Sequence, residues 1–171
     1  MGEESKTLEI RQATRNELEA AYGVAEEYFE TMGVVAREGP EEFRREYFGE
    51  GRGLWLARYG HDIAGCIALR VLDAVDNHIE VAPTTAVRGA SAEIKRMYVR
   101  QEWRGRGIAQ KLLDAAEEFA RKSGYEWIYL DTTDEMRAAA RLYERNGYER
   151  CERYNENPQA TIFMRKRLRP A

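Results

Sequence analysis

The segment from Arg104 to Ala109 has the residue types and spacing of a loop that binds phosphate groups. It reads Arg-Gly-Arg-Gly-Ile-Ala and lies between an apolar, strand-like stretch and an amphipathic helical pattern. Its glycines let the backbone approach a ligand closely, and the first amides of a helix point outward at the positive end of the helix dipole. Arg104 and Arg106 add cationic donors. The segment therefore predicts a pyrophosphate site, although its spacing alone does not choose the ligand.

Two well-known phosphate-binding patterns fit this segment poorly. A nucleoside triphosphatase loop needs a longer spacing and a Gly-Lys-Ser/Thr ending, and neither is present here. A dinucleotide fingerprint would use Asp131, at the end of the next strand, to bind a ribose, but Gln110 stands where that pattern has its third glycine. The segment also follows several strands instead of opening the fold. These differences exclude the first interpretation and argue against the second.

A wider set of residues around the loop resembles the acyl-CoA signature of the GNAT superfamily of acetyl-CoA-dependent N-acetyltransferases. The stretch 92–99 reads Ala-Glu-Ile-Lys-Arg-Met-Tyr-Val, and the signature's arginine, glycine and alanine positions are all matched within 104–109. The later segments 130–132 and 139–148 are similar to the second half of the family's site. The resemblance covers about half of the chain, from residue 92 to the C-terminus.

The resemblance implies acetyl-CoA as the co-substrate and gives no role to a metal ion. In such enzymes a bulged strand binds the pantetheine arm through its backbone, and amides at the start of the next helix hold the pyrophosphate. The coenzyme-binding residues that it implies are Met97, Tyr98, Val99, Arg104, Gly105, Arg106, Gly107, Ile108, Ala109 and Gln110.

Two residues become catalytic candidates through the same resemblance. Tyr143 stands where the family places a tyrosine near the coenzyme sulfur, so it would stabilise or protonate the departing thiolate; the alternative is a core aromatic beside Leu142. Glu93 is the candidate base, acting on the incoming ammonium directly or through a water. The alternative is an exposed strand residue paired with Lys95 or Arg96.

The expected chemistry needs no nucleophile from the protein. A neutral amine can attack the thioester directly if a backbone N–H meets the oxyanion and the thiolate is stabilised. Cys66 and Cys151 have no metal-binding or redox spacing, and Cys66 sits in an apolar stretch, so we interpret both as small hydrophobic residues. We therefore predict sequential transfer through a ternary complex.

One position departs from the family's common pattern. Many relatives have an asparagine seven residues before the tyrosine, where this chain has Met136. The segments 131–139 and 154–158 look like those of a subgroup of uncharacterised small acetyltransferases, which indicates the class of reaction without the acceptor. Tyr154, and less so Tyr98, are candidates for the acceptor pocket.

The apolar patterns predict an α/β fold in the element order β α α β β β α β α β β, with a mixed, mostly antiparallel sheet flanked by helices. In the stretch 92–99 the apolar spacing slips from two residues to three, which predicts a β-bulge near Lys95 or Arg96 and splayed central strands. Residues 73–91 lose all periodicity and are predicted to be a mobile insertion. With no linker or repeat, 1–171 is expected to form a single domain.

The composition is that of a soluble globular protein. Hydrophobic residues make up 43% and charged residues 33% of the 171 residues, and no apolar run approaches the length of a membrane span. The N-terminus does not resemble a secretory signal, so we expect a cytoplasmic protein. Residues 1–90 carry 10 basic and 17 acidic side chains, whereas 91–171 carry 17 and 13, so a polyanionic ligand favours the second half.

The expected partner is a primary amine on a small molecule or on a protein, and the acidic first half favours a cationic one. Nucleic-acid and membrane binding are not expected, because the chain is mildly acidic and its basic residues are scattered. The resemblance also suggests a homodimer paired through the C-terminal strands. The alternative function is a non-catalytic acyl-CoA-binding module that acts as a sensor or regulator.

Overall fold

The computed structural model contains helices and strands in the order that the sequence patterns predict. The structure describes residues 7–72 and 90–169. Its strands are β1 (Leu8–Gln12), β2 (Gly53–Tyr59), β3 (Asp62–Val71), β4 (Ser91–Val99), β5 (Trp127–Thr132), β6 (Glu149–Arg150) and β7 (Ile162–Arg167). Its helices are α1 (Leu18–Thr31), α2 (Pro40–Tyr47), α3 (Ile108–Ser123) and α4 (Arg137–Arg145), with short 3-10 turns at Arg15–Glu17 and Gln101–Trp103.

The strands form a mixed sheet in the order β1-β2-β3-β4-β5-β7-β6. The pairs β1 with β2, β2 with β3, β5 with β7 and β6 with β7 are antiparallel, whereas β4 pairs with β5 in parallel. This arrangement confirms the predicted mixed, mostly antiparallel sheet flanked by helices. The predicted insertion at 73–91 lies outside the described residues, apart from positions 90 and 91.

The chain folds as two compact units, one made of Met1–Leu69 and Lys95–Glu117, the other of Arg70–Ile94 and Glu118–Ala171. In the first unit, α1 buries one stripe formed by Ala21, Val24, Ala25 and Phe29. The helix α2 starts with a proline at its first turn and buries Phe43 and Tyr47. Together with apolar residues of β2 and β3, these side chains form one hydrophobic cluster.

The second unit is built on β5 and its antiparallel partner β7. Their inner positions are almost fully buried, and α4 adds Ala140, Leu142 and Tyr143 to the buried residues. A separate aromatic cluster contains Tyr129, Tyr154 and Phe163. Within the described ranges, no helix is both long enough and apolar enough to cross a membrane.

Candidate active site

The loop before α3 has the open geometry that its glycines predict. Gly105 has φ 76° and Gly107 has φ 74°, the left-handed region that favours glycine. Both are exposed, and a Cβ atom added to either would meet nothing within 4 Å. A ligand therefore has room to approach this backbone closely.

Three amides of this loop, those of Gly105, Arg106 and Gly107, remain available for a ligand, whereas the Arg104 amide donates to the Gln101 carbonyl at 3.2 Å. The Gly107 carbonyl accepts a hydrogen bond from the Lys111 amide at 3.3 Å, so the helical ladder of α3 starts there. Within residues 7–72 and 90–169, the amides of Gly105, Arg106 and Gly107 donate to no backbone carbonyl outside the helices and strands. Exposed amides at the positive end of a 16-residue helix form a favourable site for an anion.

The two arginines of the loop have different neighbours. Arg104 donates from Nε to the Val99 carbonyl at 2.9 Å, which ties the loop to the end of β4. The Arg106 guanidinium lies 4.9 Å from the centre of the Trp103 ring, which in turn stacks on Tyr59 at 4.5 Å. Arg104 thus orients the loop, while exposed Arg106 keeps its charge at the loop surface.

The backbone of β4 leaves the extended conformation at Arg96, one of the two positions predicted for a bulge. Arg96 has φ 55°, and it is the sole non-glycine residue with positive φ among those that the structure describes. Such a conformation costs roughly 1–2 kcal/mol for a residue with a Cβ atom. The Cys66 thiol donates to the Arg96 carbonyl at 3.2 Å and helps to hold it.

The Arg96 side chain is fixed by a buried ion pair and two aromatic rings. Its Nε donates to Glu38 Oε1 at 3.0 Å, and a second nitrogen contacts Glu38 Oε2. The guanidinium also lies 4.8 Å from the Phe29 ring centre and 5.8 Å from that of Tyr28. Burial alone would raise the pKa of Glu38, but the hydrogen bonds and charge of Arg96 bring that pKa below its ordinary value. These contacts set the backbone just before Met97.

The next part of β4 is held tightly against β3. A Cβ atom on Gly65 would lie 2.4 Å from the Tyr98 carbonyl oxygen, so only glycine allows this approach. The Arg100 amide donates to the Ala64 carbonyl at 2.8 Å. The Tyr98 hydroxyl donates to Glu27 at 3.0 Å, and its side chain is buried. These contacts direct the Tyr98 side chain to α1.

The parallel ladder between β4 and β5 is short. It joins Ser91 to Trp127, Ala92 to Ile128 and Glu93 to Tyr129. Both strands run further, to Val99 and Thr132, but the ladder uses no described residue of β4 after Glu93.

Glu93 lies at the centre of a buried polar network in the second unit. Its side chain is fully buried, and Arg70 donates to Oε1 from Nε at 2.9 Å and from Nη2 at 2.8 Å. The Tyr154 hydroxyl donates to Oε2 at 2.7 Å, and Asn155 donates to the same oxygen at 3.3 Å. The alternative of an exposed Glu93 paired with Lys95 or Arg96 is therefore wrong, since Glu93 is buried and pairs with Arg70.

Asn155 connects Glu93 to a second carboxylate. Its amide nitrogen also donates to Asp131 at 2.5 Å, and Asn157 donates to the other Asp131 oxygen at 3.1 Å. The Asn157 amide closes the turn by donating to the Asn155 side chain at 3.1 Å. Sequence reasoning missed the partnership of Arg70 and Asn155 with Glu93; the one signal was the pair of asparagines before a proline at 155–158.

Tyr143 lies in α4 with only 4% of its surface exposed. Its ring meets that of Tyr148 edge to face at 5.6 Å. Its burial suits both interpretations, a core aromatic and a group beside the coenzyme sulfur, so its catalytic role stays a prediction. In the same unit, the Thr132 hydroxyl donates to the sulfur of Met136 at 3.6 Å, the position at which the sequence departs from the resemblance.

The cysteines lack the properties of a nucleophile. Cys66 is completely buried, and this burial raises the pKa of its thiol to about 12. Burial also raises the pKa of Cys151, which is half-buried. Both thiols therefore stay protonated near neutral pH, consistent with their interpretation as small hydrophobic residues.

The sequence of this chain also matches a known protein family. This match accompanies the open glycine loop, the left-handed residue in β4 and the mixed sheet. Residues 16–148 match the acetyltransferase (GNAT) family, and the chain therefore belongs to that family. The uncharacterized N-acetyltransferase YjgM of Escherichia coli K12 is 30% identical over 116 residues, which are 68% of this chain and 62% of that protein. The uncharacterized N-acetyltransferase YsnE of Bacillus subtilis 168 is 33% identical over 119 residues, 67% of this chain and 68% of that protein.

Solved structures share the fold at lower identity. A GNAT-family acetyltransferase of Staphylococcus aureus Mu50 has a TM-score of 0.74 and 20% identity, covering 95% of this chain and 100% of the other. Arabidopsis thaliana NAA60, solved in complex with acetyl-CoA, has a TM-score of 0.71 and 17% identity, covering 95% and 99%. At these identities the likeness concerns the fold.

Proposed function

We propose that this protein is an N-acetyltransferase that moves the acetyl group of acetyl-CoA to a primary amine by direct attack in a ternary complex. The observation that carries the proposal is the exposed loop at Gly105 and Gly107, whose amides donate to no backbone carbonyl among the residues that the structure describes. Membership of the acetyltransferase (GNAT) family supports the same reaction class.

Coenzyme binding is assigned to one compact unit. The loop 104–110 and the β4 residues 97–99 all belong to the first unit. The loop amides take the pyrophosphate, and the backbone of Met97 and Val99 takes the pantetheine arm. Because Arg104 already occupies the Val99 carbonyl, the Val99 amide is the group that we assign to the coenzyme.

The catalytic groups are assigned to the second unit. Tyr143 stabilises or protonates the departing thiolate, so that the tetrahedral intermediate collapses toward the amide. Glu93 receives the proton that the acceptor's ammonium must lose before its nitrogen can attack. No acyl-enzyme forms, because burial keeps the Cys66 thiol protonated and Cys151 also has a raised pKa.

The acceptor is a primary amine of a small molecule or of a protein, and we favour one that carries additional positive charge. Residues 1–90 carry 17 acidic and 10 basic side chains, and an acidic surface of this kind favours a cation. A homodimer paired through the C-terminal strands is part of the proposal, and sedimentation of the purified protein tests it.

The release of free thiol from acetyl-CoA, measured across a panel of amines, tests the function. The panel should contain polyamines, free amino acids, aminoglycosides and peptides with free N-termini. We expect turnover with at least one class. Tight coenzyme binding without turnover on every amine would instead identify an acyl-CoA sensor, and trapping of an acetylated cysteine would overturn direct transfer.

A further inference from the structure

The Glu93 carboxylate is surrounded by donors on both oxygens. Oε1 accepts from Arg70 Nε and Nη2, at 2.9 and 2.8 Å, and Oε2 accepts from the Tyr154 hydroxyl at 2.7 Å and from Asn155 at 3.3 Å. A carboxylate offers about four lone-pair sites, and the contacts that these described residues make with Glu93 already number four. Glu93 is also fully buried. A proton arriving from outside would therefore displace one of the donors.

A proton can reach Glu93 without this loss only along a hydrogen bond that already exists. Arg70 donates from a guanidinium and Asn155 from an amide NH₂ group, and neither nitrogen has a lone pair to accept a proton in return. The Tyr154 hydroxyl is different, because it donates one proton and its oxygen can accept another. Among these three donors, Tyr154 is the one that can conduct a proton.

We propose that Tyr154 is a catalytic proton relay between the acceptor amine and Glu93. The inference rests on the proposed function, in which Glu93 receives the ammonium proton. The ammonium N–H bond breaks and its proton binds the Tyr154 oxygen, while the tyrosine's own proton passes to Glu93 Oε2. An ammonium and a carboxylate thus become a neutral amine and a carboxylic acid, and the hydrogen bond between Tyr154 and Glu93 persists with Glu93 now the donor.

The surroundings of Tyr154 suit a concerted transfer. Its ring is buried and packs edge to face against Tyr129 at 5.1 Å and Phe163 at 5.7 Å, which fixes the direction of its hydroxyl. Burial, followed by the charges of Glu93 and Asp131, raises the pKa of Tyr154 well above its ordinary value. The hydroxyl therefore keeps a proton at rest, and both protons must move together.

The test uses acceptors that differ in their need for deprotonation. Ethylamine and its mono-, di- and trifluorinated analogues form a series in which the ammonium becomes progressively more acidic and the shape changes little. The rate of thiol release from acetyl-CoA is measured for wild type, Tyr154→Phe and Glu93→Gln with each amine at one neutral pH. The result is the variant rate divided by the wild-type rate for the same amine.

The relay predicts a loss that depends on the acceptor. Tyr154→Phe should lower kcat/KM for ethylamine by about 100-fold, in the range of proton-transfer catalysis, and should approach the wild-type rate with trifluoroethylamine. Glu93→Gln should show the same trend. If part of a variant is misfolded, its rate falls by the same factor with every amine. The trend of the rate ratios across the series therefore does not depend on the amount of folded protein.

A matched control comes from the same aromatic cluster. The Tyr129 hydroxyl interacts with Arg165, so Tyr129→Phe should change the four ratios equally or not at all. If Tyr154→Phe lowers the rate by the same factor with all four amines, the relay is overturned. Turnover by the wild type in that case leaves the acetyltransferase assignment intact. Wild type without thiol release on these amines and on the wider panel would overturn both.

Discussion

Arg96 and Glu38 form a buried ion pair at the point where β4 adopts a left-handed backbone conformation. The pair connects the segment before α2 to the strand that is assigned to bind the pantetheine arm. Breaking a buried pair by removing one partner leaves an uncompensated charge, which typically costs about 3–5 kcal/mol. The ion pair therefore fixes the Arg96 side chain, and loss of Glu38 would leave its charge buried without this partner.

We expect Glu38→Ala to lower the free energy of unfolding by about 3 kcal/mol, because the Arg96 guanidinium loses its partner. The double variant Glu38→Ala with Arg96→Gly should be more stable than Glu38→Ala alone. Glycine tolerates positive φ, and the buried charge is gone. Urea denaturation of wild type, Glu38→Ala, Arg96→Gly and the double variant measures this coupling. Losses that simply add would show that the pair does not hold the bulge.

Substitution of Gly107 tests the coenzyme loop. Alanine at φ 74° is strained by roughly 1–2 kcal/mol, so Gly107→Ala should turn the loop amides away and raise the Kd for coenzyme A by about 10-fold. Isothermal titration with coenzyme A measures the change.

A second glycine provides the control for this substitution. Gly23 lies inside α1, where an added Cβ atom meets nothing within 4 Å. Gly23→Ala should leave the Kd unchanged and stabilise the protein by about 0.5–1 kcal/mol, because alanine favours the helix. Equal effects of the two substitutions on coenzyme binding would argue against a special role for the loop.

The stability of the first unit should depend on pH through Glu17. Hydrogen bonds from Arg11, and then from the Thr14 amide, lower the pKa of Glu17 to about 2. Because the folded value lies below the unfolded value of about 4.3, the carboxylate stabilises the fold above that pH. This contribution is lost as the pH falls from about 4.3 toward about 2.

Glu17→Gln should therefore be less stable than wild type at pH 7, and the difference should shrink as the pH falls below about 4.3. Denaturant unfolding at a series of pH values measures the difference. Glu19→Gln, at an exposed position of the same helix start, is the matched control. A difference that stays constant through this pH range would contradict the ion pair as its source.

Tyr143→Phe tests the departure of the thiolate. If the hydroxyl acts on the coenzyme sulfur, kcat should fall by about 100-fold while the Kd for acetyl-CoA stays the same. Tyr148→Phe, which alters the ring partner of Tyr143, should have a much smaller effect on kcat. Thermal unfolding confirms that both variants are folded, and equal rates for the two would assign Tyr143 to the core.

Local patterns in the sequence predicted most of the fold. The change in apolar spacing from two residues to three predicted the irregularity at Lys95 or Arg96, because side-chain alternation can be recognised within a few residues. The apolar pattern before Ser123 predicts a helix from about Gly105, but α3 begins at Ile108, since the glycines adopt positive φ. The sequence pattern also predicts a strand over 148–154, but β6 spans only Glu149–Arg150, and the chain beyond it folds into the Asn155 turn.

The network around Glu93 could not be predicted in this way. It joins Arg70, Glu93 and Asn155, which are far apart in the sequence and share no periodicity. Such partners become visible only once strand pairing places them together. The buried ion pair of Arg96 with Glu38 could not be predicted for the same reason, because 58 residues separate the two.

The most direct test of the account follows the backbone amides of the loop during coenzyme binding. In a ¹⁵N-labelled sample, adding coenzyme A should shift the amide resonances of Gly105, Arg106 and Gly107 strongly. Those of Gly33 and Gly60, which also have positive φ, should stay in place. Saturable binding that leaves the three loop amides unshifted would contradict a pyrophosphate site at the start of α3.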